Sequence, residues 1–303
     1  MSYRLRASDL EYVRAEASMY AEHPTGYRAW FPVETIPVTD KSKWYVLTRL
    51  IQPAMSMDGS TYVGVRTART EDSAPIVWMR YKFEWTITEV EAARRNGVPL
   101  QADDVRVARK QMDMKIAQFI LEGLDNPDTI NGLTEDGTDL GATLDAIYWG
   151  TADQAIKHAD AWYSHMQTYG YPGPYNWIIS TSLAGDLGQP VGTSGLDQRS
   201  YIEKAFNCRI YQEVGVATAS FDASEDAETI YPFRWTADDG IWVAIDAKPE
   251  NMALQEFFAP RLVINPSINR ETNHYEGYLE WGGTLRITNC TACGFMEDVD
   301  LVA

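Results

Sequence analysis

The 303-residue chain has no apolar run approaching the roughly 20 residues that span a bilayer. Its opening, MSYRLRASDLEYVRAEA, is charged throughout and lacks the apolar centre of a signal peptide, so neither export nor membrane insertion is expected. Cysteine is scarce: three residues, an odd number that suits no disulfide framework. Positive charge is also short, with 26 basic against 43 acidic residues and a net charge of −17. A surface of that sign repels phosphate and disfavours groove-type recognition of nucleic acid.

Catalytic and metal-binding patterns are missing as well. There is no Walker loop and no dinucleotide fingerprint. The nearest approach to a nucleophile elbow, Gly192-Thr193-Ser194-Gly195, is one residue short and falls in a loop. Of four histidines, His158 and His165 share one helix, but a seven-residue spacing separates them by about 10.5 Å along its axis, too far for one metal ion. They are expected on the helix surface. The acidic stretch LDNPDTINGLTEDGTDLG departs from the EF-hand template at Pro127 and lacks a closing Glu, so a solvated connector is expected. Glu71/Asp72 and Asp238/Asp239 are neighbours in polar turns and single out no acid–base pair.

Cys290 and Cys293 form a Cys-x-x-Cys motif within ITNCTACGF. Zinc would need a second ligand pair, and Cys208 is the only other cysteine. A redox dithiol would need a helix beginning at the motif. The flanks are strand-like, and in a strand positions 290 and 293 face opposite ways. Both are therefore expected as small apolar residues of a terminal strand. No catalytic residue, metal or cofactor is expected anywhere in the chain.

What the chain does have is aromatic residues, 10 Trp and 17 Tyr, which fill cores and anchor interfaces. It also has strong periodicity. QADDVRVARKQMDMKIAQFILEG carries Val105, Ala108, Met112, Ile116, Phe119 and Ile120 at helical spacing, with Asp104, Arg106, Lys110 and Asp113 mainly off that stripe and Gly123 as a stop. Thr151 to Gln154 predicts a capping box opening a second helix with a stripe of Ala155, Ala159, Trp162 and Met166, ended by Gly170. A short helix is expected from Leu10 to Tyr20, and an irregular arm follows. Alternation in MDGSTYVGVR and in Val77, Met79, Tyr81, Phe83, Trp85 predicts a long hairpin tipped by RTARTEDSAP. YNWIIST is expected as a buried strand. Ser200 to Glu203 reads as another capping box, leading into CRIYQEV. Asp239-Gly240 reads as a hairpin turn between TIYPFRW and IWVAID, and the remainder is mostly β. The class is α+β.

This order of elements resembles the HK97-fold major capsid proteins of tailed double-stranded DNA viruses and the related encapsulin compartments. FEWTITEVEAARRNGVPLQADDVRVARKQMDMKIAQFILEG is similar to the end of the family's extended loop followed by its spine helix. TINGLTEDG resembles the Ile-x-Gly-Leu element after the spine, and YEGYLEWGGTLRITNCTACGF resembles the closing strands, entered through a Gly-Gly turn. The resemblance implies an N-terminal arm at 1–50, an extended hairpin loop at 51–88, a peripheral domain at 89–148 with a spine helix at about 101–123, an axial domain at 149–248, and peripheral closing strands at 249–303. It implies a subunit that assembles with many copies of itself, as pentamers and hexamers, into an icosahedral virion shell around double-stranded DNA, without sequence-specific binding and without a membrane. Synthesis in the host cytoplasm is expected, with scaffolding, cement and portal proteins as separate partners. Candidate inter-subunit residues are Arg66, Arg69, Glu71, Asp72, Trp78, Arg80 and Lys82, and Val105, Ala108, Met112, Ile116 and Phe119 form the spine-helix core. The family's covalent cross-link is not carried over, because nothing identifies a partner for Lys82. Two alternatives remain: an encapsulin-like compartment, and a carbohydrate-binding or hydrolytic α+β protein using exposed Trp and carboxylates.

Overall fold

A computed structural model describes residues 27–37, 41–47, 69–96, 102–124, 130–133, 138–139, 154–191, 195–213, 239–268 and 274–300. The helix expected at Leu10–Tyr20, the strand expected at 57–66, and the TIYPFRW strand lie outside these residues.

The elements in chain order are α1 (Tyr27–Trp30), β1 (Val33–Thr35), β2 (Lys41–Leu47), β3 (Arg69–Pro75), β4 (Val77–Thr86), α2 (Ile87–Asn96) and α3 (Ala102–Glu122). There follow β5 (Gly123–Leu124), β6 (Ile130–Asn131), β7 (Thr138–Asp139), α4 (Gln154–Thr168), β8 (Tyr175–Ser180), α5 (Thr181–Asp186) and α6 (Gln198–Ala205). The chain continues through β9 (Cys208–Glu213), β10 (Asp239–Asp246), β11 (Met252–Ile268), β12 (His274–Ile287) and β13 (Cys293–Asp300).

Two sheets organise the molecule. The first has strand order β1-β11-β12-β4, with α3 against one face. Val105, Ala108, Met112, Ile116 and Phe119 are all buried there, packed with Leu254, Leu279 and Leu285. Phe119 meets the Trp281 ring edge-on, at 6.2 Å between centroids. Gly123 ends the helix at φ +82°, a conformation that a side chain would resist. Asp113, expected off the stripe, is buried beside Met112. Its carboxylate takes the Arg109 Nε–H at 3.4 Å, which makes burial tolerable.

The second sheet has order β7-β13-β10-β8-β9 and is covered on both sides. Ile178, Val243, Ile245 and Cys293 join the core under the first sheet, whereas Trp177, Ile179, Trp242 and Ala244 face α4. This explains the unbroken apolar runs in YNWIIS and IWVAI: a strand buried on both faces has no polar side to alternate with. Trp162 of α4 stands edge-on to Tyr175 and Trp177, at 4.6 and 5.3 Å. Past the end of α4, the Tyr171 N–H bonds Met166 O and the Gly170 N–H bonds Gln167 O, with Gly170 at φ +81°.

Several local expectations are corrected. Residues 69–75, expected as a polar tip, form β3, and its partner is β2 from the expected arm, in register from Lys41↔Pro75 to Leu47↔Arg69. β4 is not a hairpin strand: it pairs along its length with β12, from His274↔Thr86 to Gly283↔Val77. Gly282 and Gly283 are not a turn but lie inside β12. The cap of α6 is Asp197, whose carboxylate accepts the Ser200 N–H at 3.0 Å, so the helix starts ahead of the expected capping box. Asp239 and Gly240 belong to β10, opposite Asp300 and Val299. The closing region divides: β11 and β12 stay in the first sheet and β13 crosses to the second. Finally, Cys290 to Ala292 form a single 3-10 turn rather than a strand, with Cys290 exposed and Cys293 buried.

A buried polar cluster ties α1 to the body. Arg28 pairs with Glu256, which is 2% exposed and also accepts the Trp281 Nε1–H at 2.8 Å. Burial raises the pKa of Glu256, and burial raises that of Asp113 nearby.

Candidate assembly interface

β4 ends the strand order of the first sheet, and alternate residues along it project from the face opposite α3. Trp78, Arg80, Lys82 and Glu84 occupy those positions and are exposed. Cross-strand pairing sets Arg80 opposite Glu280, Lys82 opposite Tyr278 and Glu84 opposite Glu276. The result is a lattice of alternating charge. Arg80 reaches Glu280 at 3.2 Å, and Arg261 of β11 reaches the other oxygen of the same carboxylate at 2.8 Å. Lys82 bridges Glu84 at 2.6 Å and Glu276 at 3.0 Å, and these bonds hold its pKa above the ordinary lysine range. Tyr278 donates to Glu276 at 3.0 Å.

At one end the lattice gives way to aromatics. The Trp78 ring lies 5.3 Å from Phe257 and 5.8 Å from Phe258 between centroids, and Trp78 is 44% exposed. Arg261 stacks 3.7 Å over Phe258 and Arg80 lies 5.7 Å from the Trp78 centroid. Val263, opposite Tyr278 further along β11, is also exposed. The sheet therefore carries a cationic–aromatic spot on a chain of net charge −17. Phe257, Phe258 and Arg261 escaped notice in the sequence, because only strand pairing brings them beside Trp78.

Of the remaining candidates, Asp72 is exposed on β3, where its carboxylate accepts the Ser73 N–H at 2.8 Å. Arg69 and Glu71 take their places in the β2–β3 ladder opposite Leu47 and Tyr45. Arg66 lies outside the described residues. The hairpin root is tied to the body through Ser42, which donates to the buried Gln255. Gln255 in turn donates to Glu34 at 3.0 Å, and Arg286 reaches Glu34 at 2.8 Å.

Among the described residues no cluster of three His, Cys, Asp or Glu could hold a metal ion, and no helix is long and apolar enough to cross a membrane. His158 is buried rather than on the helix surface, its ring stacked with Trp242 at 6.4 Å and 8° between planes. Burial lowers the pKa of His165. Residues 192–194 lie outside the described set.

Residues 54–138 match the family profile described as major capsid protein. The virus-like particle from Pyrococcus furiosus superposes at a TM-score of 0.62 with 12% identity, covering 94% of this chain and 98% of that one. The capsid of Myoviridae phage XM1 gives 0.61 with 13% identity, covering 90% and 91%. The capsid of an empty GTA particle gives 0.61 with 10% identity, covering 90% and 89%. The chain has the HK97 capsid fold. Within that fold the region 54–138, matched by the capsid profile, contains β3, β4, α2 and α3. No curated protein matches by sequence.

Proposed function

We propose that the protein is the structural major capsid subunit of a tailed double-stranded DNA virus, acting through self-assembly rather than catalysis. The observation that carries this reading is the coincidence of a capsid family match at 54–138 with a shell fold that aligns across about nine-tenths of the chain. In this reading α3 and the first sheet form the rigid peripheral body, and α4 with the second sheet forms the axial domain that gathers into pentamers and hexamers. The β2–β3 pair, Lys41–Leu47 with Arg69–Pro75, reaches over a neighbouring copy, and the chain before it laces across others. Trp78, Arg80 and Lys82, together with Asp72 on the hairpin, make inter-subunit contacts, and the cationic–aromatic spot receives an acidic segment of the adjacent subunit.

The net charge of −17 fits a shell filled by a motor, since an acidic lining does not adhere to DNA. Scaffolding, cement and portal functions belong to separate proteins, and assembly takes place in the host cytoplasm. The virus-like particle among the structural neighbours supports one second reading, an encapsulin-like compartment with protein cargo.

Electron microscopy and light scattering of the purified protein, in low and high salt, test the shell. Closed particles tens of nanometres across are the expected result. Nuclease-protected DNA inside them would favour the virion, and a co-purifying enzyme the compartment. A monomer in every condition, even with neighbouring gene products added, together with a ligand-dependent Trp fluorescence change, would return the carbohydrate-binding or hydrolytic alternative.

A further inference from the structure

We propose that Cys290 and Cys293 close a reversible intrachain disulfide across the turn joining β12 to β13. The strand reading that set the two side chains on opposite faces does not hold. The Cys293 N–H donates to Cys290 O, which makes residues 290–293 one hydrogen-bonded turn. The ends of such a turn have Cα atoms under about 7 Å apart, overlapping the roughly 4.4–6.8 Å that a disulfide spans. Cys290 lies in the 3-10 turn and Cys293 is the residue just past it, at φ −124° and ψ 132°, so a single tight turn rather than a strand separates the two side chains.

The turn is held without the bond. The Ala292 N–H donates to Asn289 O at 3.1 Å, and Asn289 is fixed to Asn251 through its backbone N–H at 3.2 Å and its side-chain amide at 2.7 Å. Thr291 Oγ1 shares a hydrogen bond of 2.8 Å with the Tyr171 hydroxyl. A clamp prepared in this way loses little freedom on closure.

Access is divided between the two thiols. Cys290 is exposed and meets the oxidant first. Cys293 is buried, with its Sγ 3.6 Å from Leu133 O, and acts as the resolving thiol from inside. The oxidant is a small-molecule disulfide of the glutathione class. The Cys290 thiolate attacks one of its sulfurs, breaking the S–S bond and releasing one thiolate. The Cys293 thiolate then attacks the Cys290 sulfur of the mixed disulfide, forming the internal bond and releasing the second. Both cysteine protons pass through solvent to the released thiolates, so two cysteine thiols and one disulfide become one internal disulfide and two small thiols. Cys208 does not compete, because burial pushes its thiol up to about 12. The bond would sit where the chain crosses from the first sheet to the second. It would stay open in a reducing cytoplasm and close in an oxidising medium.

The test uses the full-length protein incubated with a series of oxidised-to-reduced glutathione ratios, then denatured, alkylated and digested. The expected peptide containing both residues has lost two hydrogens and carries no alkyl group, while Cys208 is alkylated, and dithiothreitol restores both alkylation sites. In Cys290→Ser, a surface change that leaves the core intact, no internal bond forms. In Cys293→Ser the glutathione adduct accumulates on Cys290. A stable glutathione adduct on Cys290 of the unaltered protein, with Cys293 still alkylated, would overturn the proposal, as would full alkylation of both at every ratio.

Discussion

Gly283 lies mid-strand between Glu256 of β11 and Val77 of β4, and the space around it sets a sharp expectation. A Cβ there would lie 2.6 Å from the Gln255 carbonyl oxygen and 2.7 Å from Cζ2 of Trp281. Neither neighbour yields easily: the first is sheet backbone, and the second is a fully buried ring tied to Glu256. A Cβ at Gly282 would instead meet Phe257 at 3.1 Å and Trp78 at 3.2 Å, and the half-exposed Trp78 ring has room to turn. Forcing a methyl group into a close-packed site costs about 1–3 kcal/mol. Both substitutions restrict the unfolded chain and so stabilise by about 0.4–1 kcal/mol, a contribution that cancels between them. Gly283→Ala is therefore expected to lose on the order of 1–2 kcal/mol net, and Gly282→Ala to stay near the parent. Urea unfolding of the unassembled subunit, followed by Trp fluorescence, reads this as a lowered midpoint with an unchanged slope. A parent-like midpoint for Gly283→Ala, or a larger loss for Gly282→Ala, would refute the reasoning.

Met112→Ala, at a fully buried position of α3, is expected to destabilise the subunit by about 2–5 kcal/mol, as seen in the same unfolding measurement. The carboxyl of Glu256 has its pKa raised by burial, so its contribution to stability is present below the usual carboxylate pKa and is lost as pH rises through the raised value. The stability advantage of the parent over Glu256→Gln should accordingly shrink between pH 4 and pH 8, and a gap that widens would contradict the assigned cause. Trp78→Ser is expected to leave the unfolding midpoint nearly unchanged while lowering the yield of closed particles by microscopy. Unaltered assembly would remove Trp78 from the interface.

Much of the local structure was legible because it depends on spacing alone. The stripe from Val105 to Phe119 recurs at the helical period, and one packed face suffices to produce it. The stripe of α4 and the strand at 175–180 were legible for the same reason. Thr86 and Glu89 carried a signal that went unread: Glu89 accepts the Thr86 N–H at 2.8 Å while Thr86 Oγ1 accepts the Glu89 N–H at 3.2 Å, a complete capping box opening α2. At α6 the cap fell to Asp197 rather than Ser200. The two stand three residues apart, both are competent caps, and the packing of Ile202 and Phe206 selects the register.

Strand partners were another matter. Alternation says that Val77 to Trp85 is a strand but not which strand lies beside it, and β12 took that place from nearly 200 residues away. β3 found β2 across the intervening segment by the same freedom. The two glycines of β12 have the composition of a turn, yet they lie inside a strand, and Gly283 is there because Gln255 and Trp281 leave no room for a Cβ. The Cys-x-x-Cys motif read as strand because its flanks are strands, and only the crossing between two sheets forces the turn. The sequence by itself determined the periodic elements, the acidic balance and the absence of familiar catalytic motifs, since these follow from local pattern and composition. Only the tertiary structure decided the pairing of β4, the aromatic and charged lattice on its face and the turn at Cys290, because each depends on contacts between residues far apart in the chain.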